Sequence, residues 1–207
     1  MHCSFDRTGF PYLVLDKLKL AVSLLPITKI QFERYLADVT PQSDLWYDEI
    51  LKLNPRISPT RVTLANREQL FLTGLLPDEA EAFAHWLGNG YRVPTVTEWR
   101  TVYQQLPKLP FNTIAATCLC KKNRPIQVKI LLQRLHRQLY SPNTLEFSMM
   151  QGGFVEWAQE ETNEWLGLGA PRSAFLNNLW NPMVDTVRPI RPDKRHFYFG
   201  LRLVKPV

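Results

Sequence analysis

This sequence predicts an α+β fold made of short strands and capped helices set among many loops. Three observations point there. Thr28-Lys29-Ile30-Gln31 and Thr95-Val96-Thr97-Glu98 both have the form of a capping box. In that motif the threonine hydroxyl takes the N–H three residues on while the glutamine or glutamate reaches back to the cap, so each opens a helix. Residues 11–25 mix apolar and polar positions around Asp16 to Leu20, with Leu15, Leu18 and Leu20 partly in phase, which reads as one strand or two short ones. Sixteen prolines against nine glycines describe a loop-rich body with stiff connections.

The elements follow in order. Pro26-Ile27-Thr28 ends the first strand region, and the helix opened by Thr28 can turn Ile27, Phe32, Tyr35 and Leu36 toward a core. Residues 41–76 hold several prolines and aromatic pairs such as Trp46-Tyr47, and are expected to be irregular with a short helix near 44–53. Residues 78–87 are a clear helix. Asp78 and Glu79 sit in its first turn, where the helix dipole favours acids. Ala80, Phe83, Ala84 and Leu87 form its apolar stripe, and Gly88 stops it. The next helix runs from Glu98 to Gln105 and ends before Pro107 and Pro110. After Pro125, Val128, Leu131, Leu132, Leu135 and Leu139 recur at helical spacing, an amphipathic helix in a segment near 121–141. Its other face carries Lys129, Arg134 and Arg137, preceded by Lys121, Lys122 and Arg124.

At 207 residues the chain is expected to form one domain with a core that needs no staples. Hydrophobic residues at 45% and charged residues at 21% place it among ordinary globular chains. The most apolar stretch, 18–30, is interrupted by Lys19, Ser23, Pro26 and Thr28, so no membrane span is expected. The first residues lack a basic region followed by an apolar one, which reads as a cytoplasmic chain without a signal peptide. Three cysteines, Cys3, Cys118 and Cys120, are too few for a disulfide framework and agree with a reducing compartment. The formal charge of +6 permits an acidic partner, protein or nucleic acid.

The stretch Trp86-Leu87-Gly88-Asn89-Gly90-Tyr91-Arg92-Val93-Pro94-Thr95-Val96-Thr97-Glu98-Trp99-Arg100 resembles the "WLGKRLPTEAEWE" signature of the formylglycine-generating enzyme / sulfatase-modifying factor family. Other segments match that family in the same order. Residues 24–38 resemble its "PVTNAQYRRFLEA" helix, and 78–88 its "EDAxAFCRWLG" helix. Residues 141–157 resemble "PNxFGLYDMxGNVWEW", with Pro142, Asn143, Met150, Gly152, Val155, Glu156 and Trp157 in register. Phe199-Gly200-Leu201-Arg202-Leu203-Val204 resembles the closing "GFRLV" strand, while Arg172-Ser173-Ala174-Phe175 is a poor copy of "RGGSW". The glycine-rich hairpin that opens family members ("PAGxFxMG") has no counterpart, so the N-terminal part reads as shortened. The resemblance covers roughly residues 15–40, 75–105, 140–158 and 170–204. It implies a single domain, 1–207, with an irregular C-type-lectin-like fold and the segment near 121–141 inserted.

The resemblance also frames the chemistry. Active members bind copper(I) through two cysteines between "RGGSW" and "GFR", because soft thiolates suit that ion and a substrate thiol must join them. Between Ser173 and Phe199 this chain has no cysteine, and the interval offers only Met183 and His196 in their place. Oxidase activity is therefore not expected, and no catalytic residue is assigned. The related sulfoxide synthases need an iron-binding histidine set, for which His2, His85, His136 and His196 lack the spacing. No cofactor is expected. A structural calcium near the "GNVWEW" turn is implied by the resemblance, but Gly153 replaces the asparagine there, with Glu156 kept. Cys118 and Cys120 suit half a zinc site with Cys3 or His136 completing it, although two small residues in a half-buried strand are the commoner use. Glu98 reads as a capping carboxylate, and His85 as a surface or packing residue.

Two surfaces suggest binding. One is the basic face of Lys121, Lys122, Arg124, Lys129, Arg134 and Arg137, by default a solvated helix face and otherwise a contact for acidic protein or phosphate. The other comprises Phe175, Trp180, Arg188, Arg191, Arg195, Phe197 and Tyr198, joined by Leu176, Met183 and His196. Aromatics and arginines offer large contact area with few rotamers to freeze, though the same aromatics serve equally as the loop core of a lectin-like fold. The expectation is a non-catalytic protein-binding or regulatory subunit, whose partner is a protein encoded nearby. By analogy with small stand-alone family members, it belongs to a bacterial signalling or CRISPR-associated defence system. The alternatives are a receptor with a variable lectin-like surface at 172–198 and a nucleic-acid-binding protein using the basic helix.

Overall fold

The computed structural model describes residues 2–39, 43–56, 58, 61, 69–88, 90–105, 155–169, 180–191 and 193–207. Among them the chain forms an α+β structure of four α-helices and two sheets. The first sheet is antiparallel, in the order β1-β2-β3-β7, from β1 (His2–Phe5), β2 (Pro11–Leu15), β3 (Leu20–Ser23) and β7 (Val204–Pro206). The second has the order β5-β4-β6, from β4 (Val155–Gln159), β5 (Trp165–Gly169) and β6 (Phe199–Gly200), with β4 and β6 parallel.

The first sheet is buried on both faces, which explains why β2 reads as an unbroken apolar run. Tyr12 and Val14 face the core beneath α1 (Lys29–Asp38), α2 (Asp44–Leu53) and α3 (Pro77–Leu87). Leu13 and Leu15 face a second core that holds Trp99 and Val102 of α4 (Val96–Gln105) together with Leu166 and Leu168 of β5. Successive strand side chains point to opposite faces, so a strand between two cores must be apolar at every position. Residues 11–25 thus hold two short strands, β2 and β3, and the polar stretch between them is not strand. Asp16–Leu18 is a 3-10 turn, and Lys19 closes it in the left-handed region at φ 50°.

The N-terminal part is fuller than the sequence suggested. β1 pairs with β2 from His2↔Val14 to Phe5↔Pro11. Asp6 ties the turn between them by accepting the Thr8 and Phe10 N–H groups and the Thr8 hydroxyl. Cys3, on β1, is disulfide-bonded. That bond removes the cysteines as an argument for a reducing compartment, and it takes Cys3 out of the thiolate set considered for zinc.

The helices expected within the described residues are in place. Thr28 and Gln31 form a complete capping box on α1, and Ile27, Phe32, Tyr35 and Leu36 are buried. Ser43 caps α2 by accepting the Trp46 N–H. The stripe Ala80, Phe83, Ala84 and Leu87 lies fully inside, and Gly88 ends α3 at φ 77°. In the second box the Glu98 carboxylate accepts the Thr95 N–H at 3.0 Å, and the Thr95 hydroxyl accepts the Glu98 N–H at 3.2 Å. The segment near 121–141 lies outside the described residues. No helix among the described residues is long and apolar enough to cross a membrane.

The closing stretch 199–206 joins the two sheets. Phe199 pairs with Val155 in the second, and Val204 pairs with Val22 in the first. Between them the Leu201 and Leu203 carbonyls accept the Ile27 and Ser23 N–H groups. Arg202 therefore sits where the chain passes from one sheet to the other.

Candidate functional site

The crossing at Arg202 collects residues that lie far apart along the chain. Its guanidinium Nε and Nη2 donate to the Glu156 carboxylate at 2.8–3.1 Å. Its Nη1 donates to the Ser23 and Leu24 carbonyls at 2.6 and 3.0 Å. The Trp99 indole N–H gives Glu156 a further bond at 2.7 Å. Arg202 is 1% exposed, Glu156 2% and Trp99 1%. Burial raises the Glu156 carboxyl above its ordinary value, against the pull of the Arg202 charge and of the hydrogen bonds it accepts. The neighbouring Trp157 indole donates to the Leu75 carbonyl at 2.9 Å and packs on Phe199. Both Glu156 oxygens are taken by protein donors, so this carboxylate acts as a clamp between the sheets. Its side-chain partners lie 46 and 57 residues away along the chain.

Glu79 makes a second clamp. It accepts its own Leu76 N–H at 2.8 Å, the Trp46 indole N–H, and two guanidinium contacts from Arg195. Arg195 also donates to the Gly74 carbonyl at 3.0 Å and to Glu49 at 3.2 Å. Only 13% of the Arg195 side chain is exposed. Residues predicted from sequence as a dipole partner and as a partner-binding arginine thus form one internal bridge, which pins the segment 180–198 to α2 and α3.

Around that anchor the segment is held at many points. Gly167 and Val187 exchange both backbone hydrogen bonds, Arg100 donates to the Val184 carbonyl, and the Trp180 indole donates to the Gly169 carbonyl. Asn181 and Asp185 close a turn, and His196 contacts the Arg191 carbonyl through Nε2 at 3.0 Å. A segment fixed in this way would be expected to bury its apolar side chains, yet Ile190 is 88% exposed, Phe197 74% and Val184 69%. Tyr198 is half-buried against Phe197 and Phe199. Arg188 and Arg191 lie on the surface, paired with Glu164 and Asp193 respectively.

Of the residues expected to bind a partner, the structure brings Trp180, Arg188, Arg191, Phe197 and Tyr198 into this segment and gives Arg195 the internal role. Ile190 and Val184 were missed, because isolated aliphatic residues in a proline-rich stretch carry no sequence sign of being left outside. Phe175, the basic face at Lys121, Lys122, Arg124, Lys129, Arg134 and Arg137, and the pair Cys118 and Cys120 lie outside the described residues. Among the described residues, no group of three or more histidine, cysteine or acidic side chains is arranged to hold a metal. An open cleft of about 460 Å³ between α1 and α2 has Leu36, Ala37, Tyr47 and Leu51 in its lining. Three of its polar members are engaged within the chain: Glu33 pairs with Arg56, and Asn54 bonds backbone groups of Ile50 and Thr73. No protein-family model matches this chain, and no curated protein matches it.

Proposed function

We propose that this chain is a non-catalytic protein-binding or regulatory subunit on a C-type-lectin-like frame similar to that of the formylglycine-generating enzyme family, and that the segment 180–198 is its contact surface. The observation that carries the reading is a tightly held loop that leaves Ile190 and Phe197 almost wholly in water. Exposed apolar side chains on a fixed backbone lose little entropy when a partner covers them. The family part of the reading draws support from Trp99, Glu156 and Arg202, which the resemblance picks out from separate segments and which share one buried network. The non-catalytic part draws support from the sequence, which has no cysteine between Ser173 and Phe199. A role in a bacterial signalling or CRISPR-associated system is the extension of this reading by analogy.

The test is affinity purification of the tagged chain from its native host, with an assay for copper-dependent oxidation of a cysteine-containing peptide alongside. A stoichiometric protein partner and no oxidation are expected. Measurable thiol oxidation, or a chain that purifies alone under native expression, would overturn the reading.

A further inference from the structure

We infer that the partner presents a carboxylate-rich segment carrying an aliphatic or aromatic side chain, which seats against Ile190 and Phe197 while its acids engage Arg188, Arg191 and Lys194. The inference rests on the contact surface proposed above and adds the chemistry of what binds it. Residues 188–198 hold four cationic side chains, Arg188, Arg191, Lys194 and Arg195, against one carboxylate, Asp193. Arg195 is committed inward, which leaves three cations at the surface in the same stretch of chain as the exposed Ile190 and Phe197. Two of them have intramolecular partners, but those pairs are solvent-exposed: side-chain exposure is 66% and 55% for Arg188–Glu164, and 63% and 62% for Arg191–Asp193. Such pairs hold weakly and exchange readily for a carboxylate that arrives with apolar burial. The whole-chain charge of +6 steers encounter in the same direction.

The surface fits protein better than nucleic acid. Two of its three exposed apolar residues, Val184 and Ile190, are aliphatic, so Phe197 alone among them offers a base a face to stack on.

The probe is a displayed library of random dodecapeptides, selected on the full chain and then measured as synthetic peptides. Binding to Ile190→Ser/Phe197→Ser and to Arg188→Gln/Arg191→Gln variants is compared with wild type. All four positions are exposed, and matching melting curves check that the variants fold. Selected peptides are expected to combine Asp or Glu with an apolar residue, and each double variant is expected to weaken them about tenfold or more. Peptides that depend on Phe197 but carry no acids would overturn the inference and leave the contact surface standing. Selected peptides indifferent to both variants, or no enrichment at all, would remove the surface with it. A single-stranded oligonucleotide that binds in a salt-sensitive, Arg188/Arg191-dependent manner would overturn it in favour of nucleic acid.

Discussion

Glu156→Gln isolates the clamp between the two sheets. The substitution keeps the shape and removes the charge, so the Arg202 guanidinium stays buried opposite a neutral amide. The new amide would also have to turn its N–H₂ toward either Arg202 or the Trp99 indole, both of which are donors. Breaking a buried pair from one side costs about 3–5 kcal/mol, because the remaining charge has lost its counterpart. The raised Glu156 carboxyl does not contradict this. It says that burying the ion is expensive, so the pair as a whole adds little over an apolar core, while either partner alone is worse than both. For a chain of this size each kcal/mol moves the melting temperature by roughly 2–4 °C, so a fall of roughly 6–20 °C is expected. Urea unfolding followed by tryptophan fluorescence gives the free energy, and the exposed pair supplies the control: Glu164→Gln should stay within about 0.5 kcal/mol of wild type. Combining Glu156→Gln with Arg202→Met should cost less than the sum of the two single variants. A Glu156→Gln protein within about 1 kcal/mol of wild type would refute the reasoning, as would simple additivity.

Further expectations follow from local geometry. Burial works to raise the Glu98 carboxyl, but the Arg92 guanidinium and the Thr95 N–H outweigh it and hold the group below its ordinary value of 4.5. A depressed acid contributes stability above its unfolded value and loses it as pH falls through the folded one. Glu98→Ala should therefore cost about 1 kcal/mol at pH 7, a deficit that shrinks as unfolding is measured at successively lower pH below about 4.5. Gly167→Ala would place a Cβ 2.4 Å from Val155 Cγ2 and 2.7 Å from Phe199 Cε1, both in strands. Overpacking of that kind should cost about 1–3 kcal/mol by denaturant melts. Arg195→Met should speed amide exchange at Gly74, whose N–H is held by the Phe199 carbonyl, because the bridge from the segment 180–198 to Glu79 is gone.

How far the sequence could be read depended on the range of the interaction. Both capping boxes were legible because their partners lie three residues apart, and the stripe of α3 was legible because its period is that of the helix itself. β1 was not, since Cys3-Ser4-Phe5 becomes a strand only by pairing with β2. The run Asp16 to Lys19 imitated strand alternation over a turn too short for periodicity to distinguish. Glu79 was read for its place at a helix N-terminus, and nothing nearby in sequence announces that Arg195, 116 residues on, docks against it. The same distance effect made Arg195 resemble an interface arginine. For the proposed contact surface, aromatic and arginine content singled out the segment. Which side chains were left outside depended on packing against β5, α2 and α4.

The most direct test of the account is hydrogen–deuterium exchange on the chain alone and in complex with its co-purified partner. Protection should concentrate in residues 180–198, with Phe197→Ser abolishing it at an unchanged melting temperature. Protection confined to other segments, with 180–198 exchanging as fast in the complex as in the free chain, would contradict the account.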